Sequence, residues 1–291
     1  MNKWVFKALV MAEQSQLVRS IPDKTYISFE YFLKTHRVMN WRNPTTYNEK
    51  LNWLKVYDRN SEYSALVDKY EFKRYVTLKL GEGYTFPTLG VWNRFEEVDL
   101  NSLPNSFVLK CTHDSGGIWI VKDKNQLDVA SCAEFFNVRL SRNYYYHGRQ
   151  WIYKDINPRI IAEPYMTDES GVELKDYKFF CFDGEPRIIF VDYDRQIHHH
   201  RNVYSIDWNL MDVETKYLPA PGRNIPKPDE LDKMIAVSRK LSAGMRHVRV
   251  DMYVVNGNIY VGELTFFHGN GCSKFKPAEF AVTLGDYINL R

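Results

Sequence analysis

The sequence predicts an α+β protein in which mostly antiparallel strands carry helices against them. Three observations carry that prediction. The first part of the chain is helical and lacks an alternating βα pattern, the remainder offers short apolar runs separated by turn residues, and no internal repeat is present. Composition agrees: 291 residues with 44% hydrophobic, 26% charged and 15% aromatic side chains describe a folded chain with a thick core. The net charge of +3 is too small for nucleic-acid binding by bulk charge. It is unevenly placed, because residues 1–60 hold ten Lys and Arg against five Asp and Glu, leaving −2 for the rest. Histone-like, collagen-like and acidic-tail proteins are excluded, and no chemistry is named.

The N-terminus starts basic, but Lys7 interrupts its apolar stretch and no small-residue cleavage site follows, so a secretory signal is not expected. Trp4, Val5, Leu9 and Val10 suit a short amphipathic helix, either touching a membrane or partner or docked on its own domain. No apolar run approaches the ~20 residues that span a bilayer. Residues 26–80 read as helical. Asn43-Pro44, Thr45, Thr46 and Glu49 mark one helix start, with a stripe at Leu51, Leu54 and Tyr57. A second helix is expected over 61–80, stopped by Gly81.

Strands are expected over 106–111 and 117–121, on either side of a polar turn at 112–116. Leu127, Ala130, Ala133, Phe136 and Leu140 recur at helical spacing, which predicts a helix over 126–142. Further strands are expected over 159–166, 177–182 and 187–193, with Asp183-Gly184 turning a hairpin. Residues 195–228, with Pro219, Pro221, Pro226 and Pro228, read as a long irregular excursion. A helix from Pro228-Asp229 to Ala243 precedes a last strand pair, 246–255 and 259–266.

The register of that last pair can be argued from side-chain parity. A two-residue loop at Asn256-Gly257 would turn Glu263 onto the apolar face of Val250, Met252 and Val254. A three-residue loop, with Asn258 left-handed and Val255 opposite Ile259, avoids this. One face then carries Val248, Val250, Met252, Val254, Tyr260, Leu264 and Phe266, and the other Arg249, Asp251, Glu263 and Thr265. Asp251 falls opposite Glu263, so a cation is needed between them: Arg249, as a sheet brace, or a divalent ion such as Mg²⁺.

Other residues could carry chemistry. Lys110 ends an apolar strand and either snorkels outward or meets an anion. The turn containing Ser115, Gly116 and Gly117 could offer backbone N–H groups to phosphate, although no P-loop or GxGxxG is present. Asp176 and Lys178 share a strand face, and Glu163-Pro164-Tyr165-Met166 closes another strand with a free backbone edge. His198-His199-His200 cannot all face one ion. Asp192-Tyr193-Asp194 matches the short pattern by which many glycosyltransferases hold a metal and a sugar diphosphate. No nucleophile elbow, HExxH or zinc spacing occurs. Cys111, Cys132, Cys181 and Cys272 lie far apart, as free thiols in a reducing cytosol do.

In order, these pieces resemble the ATP-grasp superfamily, and most nearly its TupA-like branch, associated with bacterial surface polysaccharide and teichuronopeptide synthesis. The resemblance covers roughly residues 20–291. It rests on the stretch from Asn43 to Lys50, on Asp68-Lys69-Tyr70, on Phe107 to Cys111, on Asp176 to Gly184, on Val248-Arg249-Val250-Asp251 and on Gly262 to Phe266. It implies an ATP-grasp fold of two α+β subdomains clasping a nucleotide, 86–165 and 166–291, preceded by a helical region, 1–85. Lys110 and Lys178 would hold ATP phosphates under the Ser115–Gly116–Gly117 turn. The hinge at Glu163, Tyr165 and Met166 would meet adenine, with Asp176 near the ribose. Asp251 and Glu263 would bind Mg²⁺. Arg249 and Lys178 would serve the reacting centre. The family's third metal ligand is an Asn where this chain has Thr265, and Asn270 is a candidate substitute.

The implied activity is an ADP-forming carboxylate–amine ligase working through an acyl phosphate. It would amidate a component of a surface polysaccharide, such as a uronic acid. Its partners would be ATP, a carboxylate-bearing sugar or glycan and an amine or amino acid, without nucleic acid. The expected location is the cytoplasm, with the N-terminus as a contact for the inner membrane face. The alternatives are a glycosyltransferase using Asp192-Tyr193-Asp194 and a non-catalytic nucleotide-binding subunit.

Overall fold

The computed structural model describes residues 3–195 and 197–290. Of the apolar face expected of the first helix, the side chains of Trp4, Val5 and Leu9 lie outside the described residues, and Val10 is buried. The chain forms two compact units, each assembled from three segments. The first contains Met1–Ile27, Arg59–Lys73 and Phe86–Tyr165, and the second Ser28–Asp58, Arg74–Thr85 and Met166–Arg291. The helical residues 1–85 are thus divided between the two. No described helix is long and apolar enough to cross a membrane.

Among the described residues before residue 86 there are six helices: α1 (Lys3–Glu13), α2 (Gln16–Arg19), α3 (Asp23–Thr35), α4 (Tyr47–Tyr57), α5 (Tyr63–Val67) and α6 (Glu71–Leu80). α4 starts where expected, on a capping box in which the Thr46 hydroxyl and the Glu49 carboxylate exchange bonds with each other's backbone. The single helix expected over 61–80 is broken instead. Asp68 turns its Oδ1 onto the N–H groups of Tyr70 and Glu71, at 2.8 and 3.0 Å, which ends α5 and begins α6.

In the first unit, β1 (Gly90–Trp92), β2 (Phe107–Cys111), β3 (Ile118–Val121) and β4 (Ile160–Pro164) form an antiparallel sheet in the order β1-β4-β2-β3. Alternate residues Phe107, Leu109 and Cys111 of β2 join Ile160 and Ala162 of β4 in one apolar layer. Onto it α7 (Val129–Leu140), capped by Asp128, presses Cys132 and Phe136. α1 docks on this unit: the Arg139 guanidinium lies 4.4 Å from the Phe6 ring, and Glu13 pairs with Arg142 at 2.6 Å. That docking supports the reading of this helix as part of its own domain.

In the second unit, β5 (Asp176–Phe182), β6 (Glu185–Tyr193), β7 (His200–Ser205), β8 (His247–Val255) and β9 (Asn258–Thr265) are ordered β7-β6-β5-β8-β9, all antiparallel. α8 (Leu231–Ser242) covers the apolar face with Leu231, Met234, Val237 and Leu241, and α9 (Phe280–Asp286) packs against α4. β1, β7 and α9 are not expected from the sequence. β7 lies inside the supposed irregular excursion: its Arg201, Asn202, Val203 and Tyr204 are all buried, so no polar alternation announces it.

The last hairpin corrects the parity argument. Its loop has two residues, Asn256 and Gly257, both left-handed at φ 50° and 74°, and Val255 pairs with Asn258. Glu263 is nonetheless opposite Asp251, because a bulge at Gly262 shifts the register by one between Met252–Val261 and Asp251–Glu263. Ile259 and Val261, not Tyr260, therefore share the apolar face with Met252 and Val254. Gly262 is required by close approach, since a Cβ there would lie 2.5 Å from the Tyr253 ring.

Candidate functional site

In the first unit, β2 alternation sends Lys110 to the face opposite α7, and its neighbour across the ladder, β4, brings Glu163 to the same side. Lys110 Nζ lies 2.5 Å from Glu163 Oε2, and Lys73 Nζ, from α6, lies 2.5 Å from Oε1. Glu163 is buried, which by itself would raise its pKa; Lys110 and Lys73 outweigh this and hold it below the ordinary carboxylate value. Burial lowers the Lys73 pKa, Glu163 opposes the shift, and the neighbouring Lys110 adds to it.

The turn that follows β2 is closed by Cys111 N–H donating to the Gly117 carbonyl at 2.7 Å. Its base is pinned. Thr112, His113 and Asp114 are buried, Arg139 pairs with Asp114 at 2.9 Å, and the Lys69 ammonium donates to the Asp114 carbonyl. Gly117 has no room for a side chain, because a Cβ would collide with the Asp114 carboxylate. Ser115 and Gly116, the latter at φ 82°, form an exposed tip. Tyr165 and Met166 are half-buried, and Lys122 lies 5.8 Å from the Tyr165 ring.

In the second unit, the sheet face away from α8 carries a charged row. Cross-strand pairing sets Lys178 beside Asp251 and Asp251 beside Glu263, with Asp176 beside Asp192 and Asp192 beside Arg201. Lys178 Nζ sits 2.5 Å from Asp176 and 2.8 Å from Asp251. Burial disfavours its charge, but Asp176 and Asp251 prevail and raise its pKa. Arg249 grips Asp251 with Nε and Nη2, at 2.6 and 2.5 Å, and donates Nη1 to His268 Nδ1 at 2.6 Å. Burial works against its charge too, and Asp251 with Glu263 raises its pKa. The His268 ring is kept neutral, its pKa lowered first by burial and then by Arg249.

The three residues expected to bind metal converge. Asp251 Oδ2, Thr265 Oγ1 and Glu263 Oε1 lie 2.5, 3.0 and 3.2 Å from one atom, Arg249 Nη2. Two carboxylates and a hydroxyl are hard oxygen donors of the kind Mg²⁺ takes, and they leave positions that substrate oxygens and water would fill. The residues present would fit such an ion in place of the guanidinium nitrogen that now stands at their focus. Among the described residues, no group of three or more His, Cys, Asp or Glu could hold a metal. The supposed substitute, Asn270, is otherwise engaged. Its Oδ1 accepts from Lys55 Nζ at 2.6 Å, and its Nδ2 donates to Glu30 at 2.9 Å. The loop containing it is read by one face of α4: Asn48 bonds the Ser273 carbonyl, Asn52 the Gly271 carbonyl and Lys55 the Asn270 carbonyl, at 2.7, 2.8 and 2.9 Å.

Two further sequence candidates are paired with neighbouring side chains. Asp192 is taken by Arg201 at 2.5 and 2.8 Å, and Asp194 by Arg223 at 2.5 Å, so each carboxylate of the Asp-Tyr-Asp pattern has its own arginine. His199 stacks on Tyr217 and lies 3.3 Å from Asp192, while His200 bonds the Leu218 carbonyl. All four cysteines are free thiols. The sequence motif Asp68-Lys69-Tyr70 includes Lys69 without assigning it a role, and Lys73, Arg139 and His268 are not singled out by the sequence; the spacing of Lys73 behind the Asp68 cap is the one signal for it.

Two antiparallel sheets, each with lysine paired to a buried carboxylate, belong to an ATP-grasp fold. The model of the family described as TupA-like ATPgrasp matches residues 49–289, and the chain belongs to that family. Among solved structures, it is similar to D-alanine–D-alanine ligase of Bacillus anthracis complexed with ATP, at 18% identity and a TM-score of 0.40 over 69% of this chain and 54% of that one. It spans only about half of that enzyme's length. The Helicobacter pylori D-alanine–D-alanine ligase shares 15% identity and a TM-score of 0.44 over 83% of this chain and 69% of that one. The ATP-grasp ligase PsnB, complexed with minimal precursor, Mg and ADP, shares 14% and 0.40 over 82% and 65%. No curated protein matches the chain.

Proposed function

We propose that the protein is an ATP-dependent carboxylate–amine ligase that amidates a component, such as a uronic acid, of a bacterial surface polysaccharide. The observation that carries the reading is the convergence of Asp251, Glu263 and Thr265 on one positively charged point, filled here by Arg249 Nη2, with Lys178 held on the same Asp251. In this reading Lys110 and Lys178 bind nucleotide phosphates, and Ser115, Gly116 and Gly117 offer backbone N–H groups above them. Asp176 serves the ribose, and the backbone at Glu163, Tyr165 and Met166 serves the base. Mg²⁺, when bound by Asp251, Glu263 and Thr265, supplies charge neutralisation for phosphoryl transfer.

The substrate carboxylate attacks the γ-phosphate to give an acyl phosphate and ADP, and an amine then displaces phosphate to form the amide. Arg249 stabilises the oxyanion of that second step. No protein nucleophile is required, which agrees with a sequence that contains no Gly-x-Ser-x-Gly elbow. The family's association with surface polysaccharide supports the acceptor class. Incubation with ATP, Mg²⁺ and a panel of uronates and amines should release ADP and phosphate, and Asp251→Asn should abolish the release. Nucleotide release from UDP-sugars without ADP formation would overturn this reading in favour of glycosyl transfer.

A further inference from the structure

We propose that Lys73 is a positioning residue that frees Lys110 to engage nucleotide phosphate by keeping Glu163 compensated. The inference rests on the nucleotide-binding reading of Lys110. Glu163, 5% exposed, divides its two oxygens between the two lysines. The lysines are not equivalent. An ammonium group has three donors. Those of Lys73 are all matched, by Glu163 Oε1 at 2.5 Å, the Phe86 carbonyl at 2.8 Å and Thr88 Oγ1 at 3.0 Å. It is a fixed counter-ion with nothing left for a ligand. Lys110 bonds Glu163 at the end of a flexible stem rooted on an apolar strand.

A phosphate that attracts Lys110 must take it from a buried carboxylate. Stripping a buried charge of its sole partner is strongly unfavourable. With Lys73 in place the carboxylate keeps one full ion pair, so the transfer of Lys110 is far less opposed. Without Lys73, Lys110 becomes the sole partner of Glu163 and is held back from the phosphate. The effect concerns the phosphate portion of a nucleotide only.

The test is calorimetric titration of wild type, K73M, E163Q and K73M/E163Q with Mg²⁺ and a non-hydrolysable ATP analogue, and separately with adenosine, with folding checked by circular dichroism. K73M should weaken the analogue by about tenfold or more and leave adenosine unchanged. K73M/E163Q, in which no buried carboxylate retains Lys110, should return the analogue to within about threefold of E163Q. Unchanged analogue affinity in folded K73M, or equal loss of both ligands, would sink the proposal. So would a double variant as weak as K73M. If K73M does not fold, the E163Q pair decides alone: a further loss on adding K73M to E163Q rejects the proposal. If wild type binds neither ligand, the nucleotide reading falls and takes this inference with it, whereas wild-type binding matched by K73M rejects the inference only.

Discussion

His247 is buried with both ring nitrogens engaged. Nδ1 faces the Phe266 carbonyl at 3.0 Å and so carries the proton; Nε2 then accepts from the Tyr47 hydroxyl at 2.9 Å. Burial leaves no place for a second proton and lowers its pKa to about 3. The unfolded chain therefore binds a proton near pH 6.5 that the folded chain refuses. Stability from this group is complete above that pH and is lost as pH falls from there toward 3, at about 1.4 kcal/mol per pH unit. Glu163 acts in the same sense at lower pH, because its depressed pKa contributes stability that is lost as the carboxylate protonates. Urea midpoints measured from about pH 7 to pH 4 should fall, and His247→Gln should flatten the upper part of that fall. Single residues were readable where a motif spelled them: Lys110, Lys178, Asp251 and Glu263. Lys73 and His268 were not, because their partners Glu163 and Arg249 lie 90 and 19 residues away and only tertiary structure supplies them.

The C-terminal hairpin shows at the scale of an element how a correct pairing can follow from an incorrect turn. Parity demanded that Glu263 leave the apolar face, and the chain satisfies that demand inside the strand rather than in the loop. A glycine within a strand signals a bulge or a close approach, and Gly262 is both. Gly262→Ala should destabilise the protein by about 1–3 kcal/mol, because the new methyl group must displace the Tyr253 ring. Denaturant unfolding would measure it, and an unchanged midpoint would contradict the argument. The strands that escaped detection did so for physical reasons: β1 has three residues, too few to show alternation, and the four central residues of β7 are all buried. The helix expected over 61–80 overran a cap that reads as one more polar residue until its side chain turns back onto the backbone.

For the molecule as a whole, the sequence suggests consecutive blocks, but the chain shuttles between two units before residue 86. Helical periodicity in residues 1–85 says that helices form and not against which sheet they pack. All segments of the first unit have been supplied once Tyr165 is reached; the second still lacks Met166–Arg291. In pulse-labelled hydrogen exchange during refolding, amides of the β2–β3 hairpin should gain protection before those of α4, whose partners are more than 200 residues away. Simultaneous protection would argue for a single cooperative step.

The grip of α4 on the loop from Asn270 to Ser273 bears on how the protein is made. Asn48, Asn52 and Lys55 leave the ribosome early, and the carbonyls they hold are synthesised 215–225 residues later. At about 5–20 residues per second this is an interval of tens of seconds. During it the buried faces of Tyr47, Leu51 and Leu54 have no partner from the C-terminal end of the chain. A nascent chain in this state exposes apolar helix surface of the kind that favours association with other chains. Pausing translation before residue 270 would lengthen that exposure.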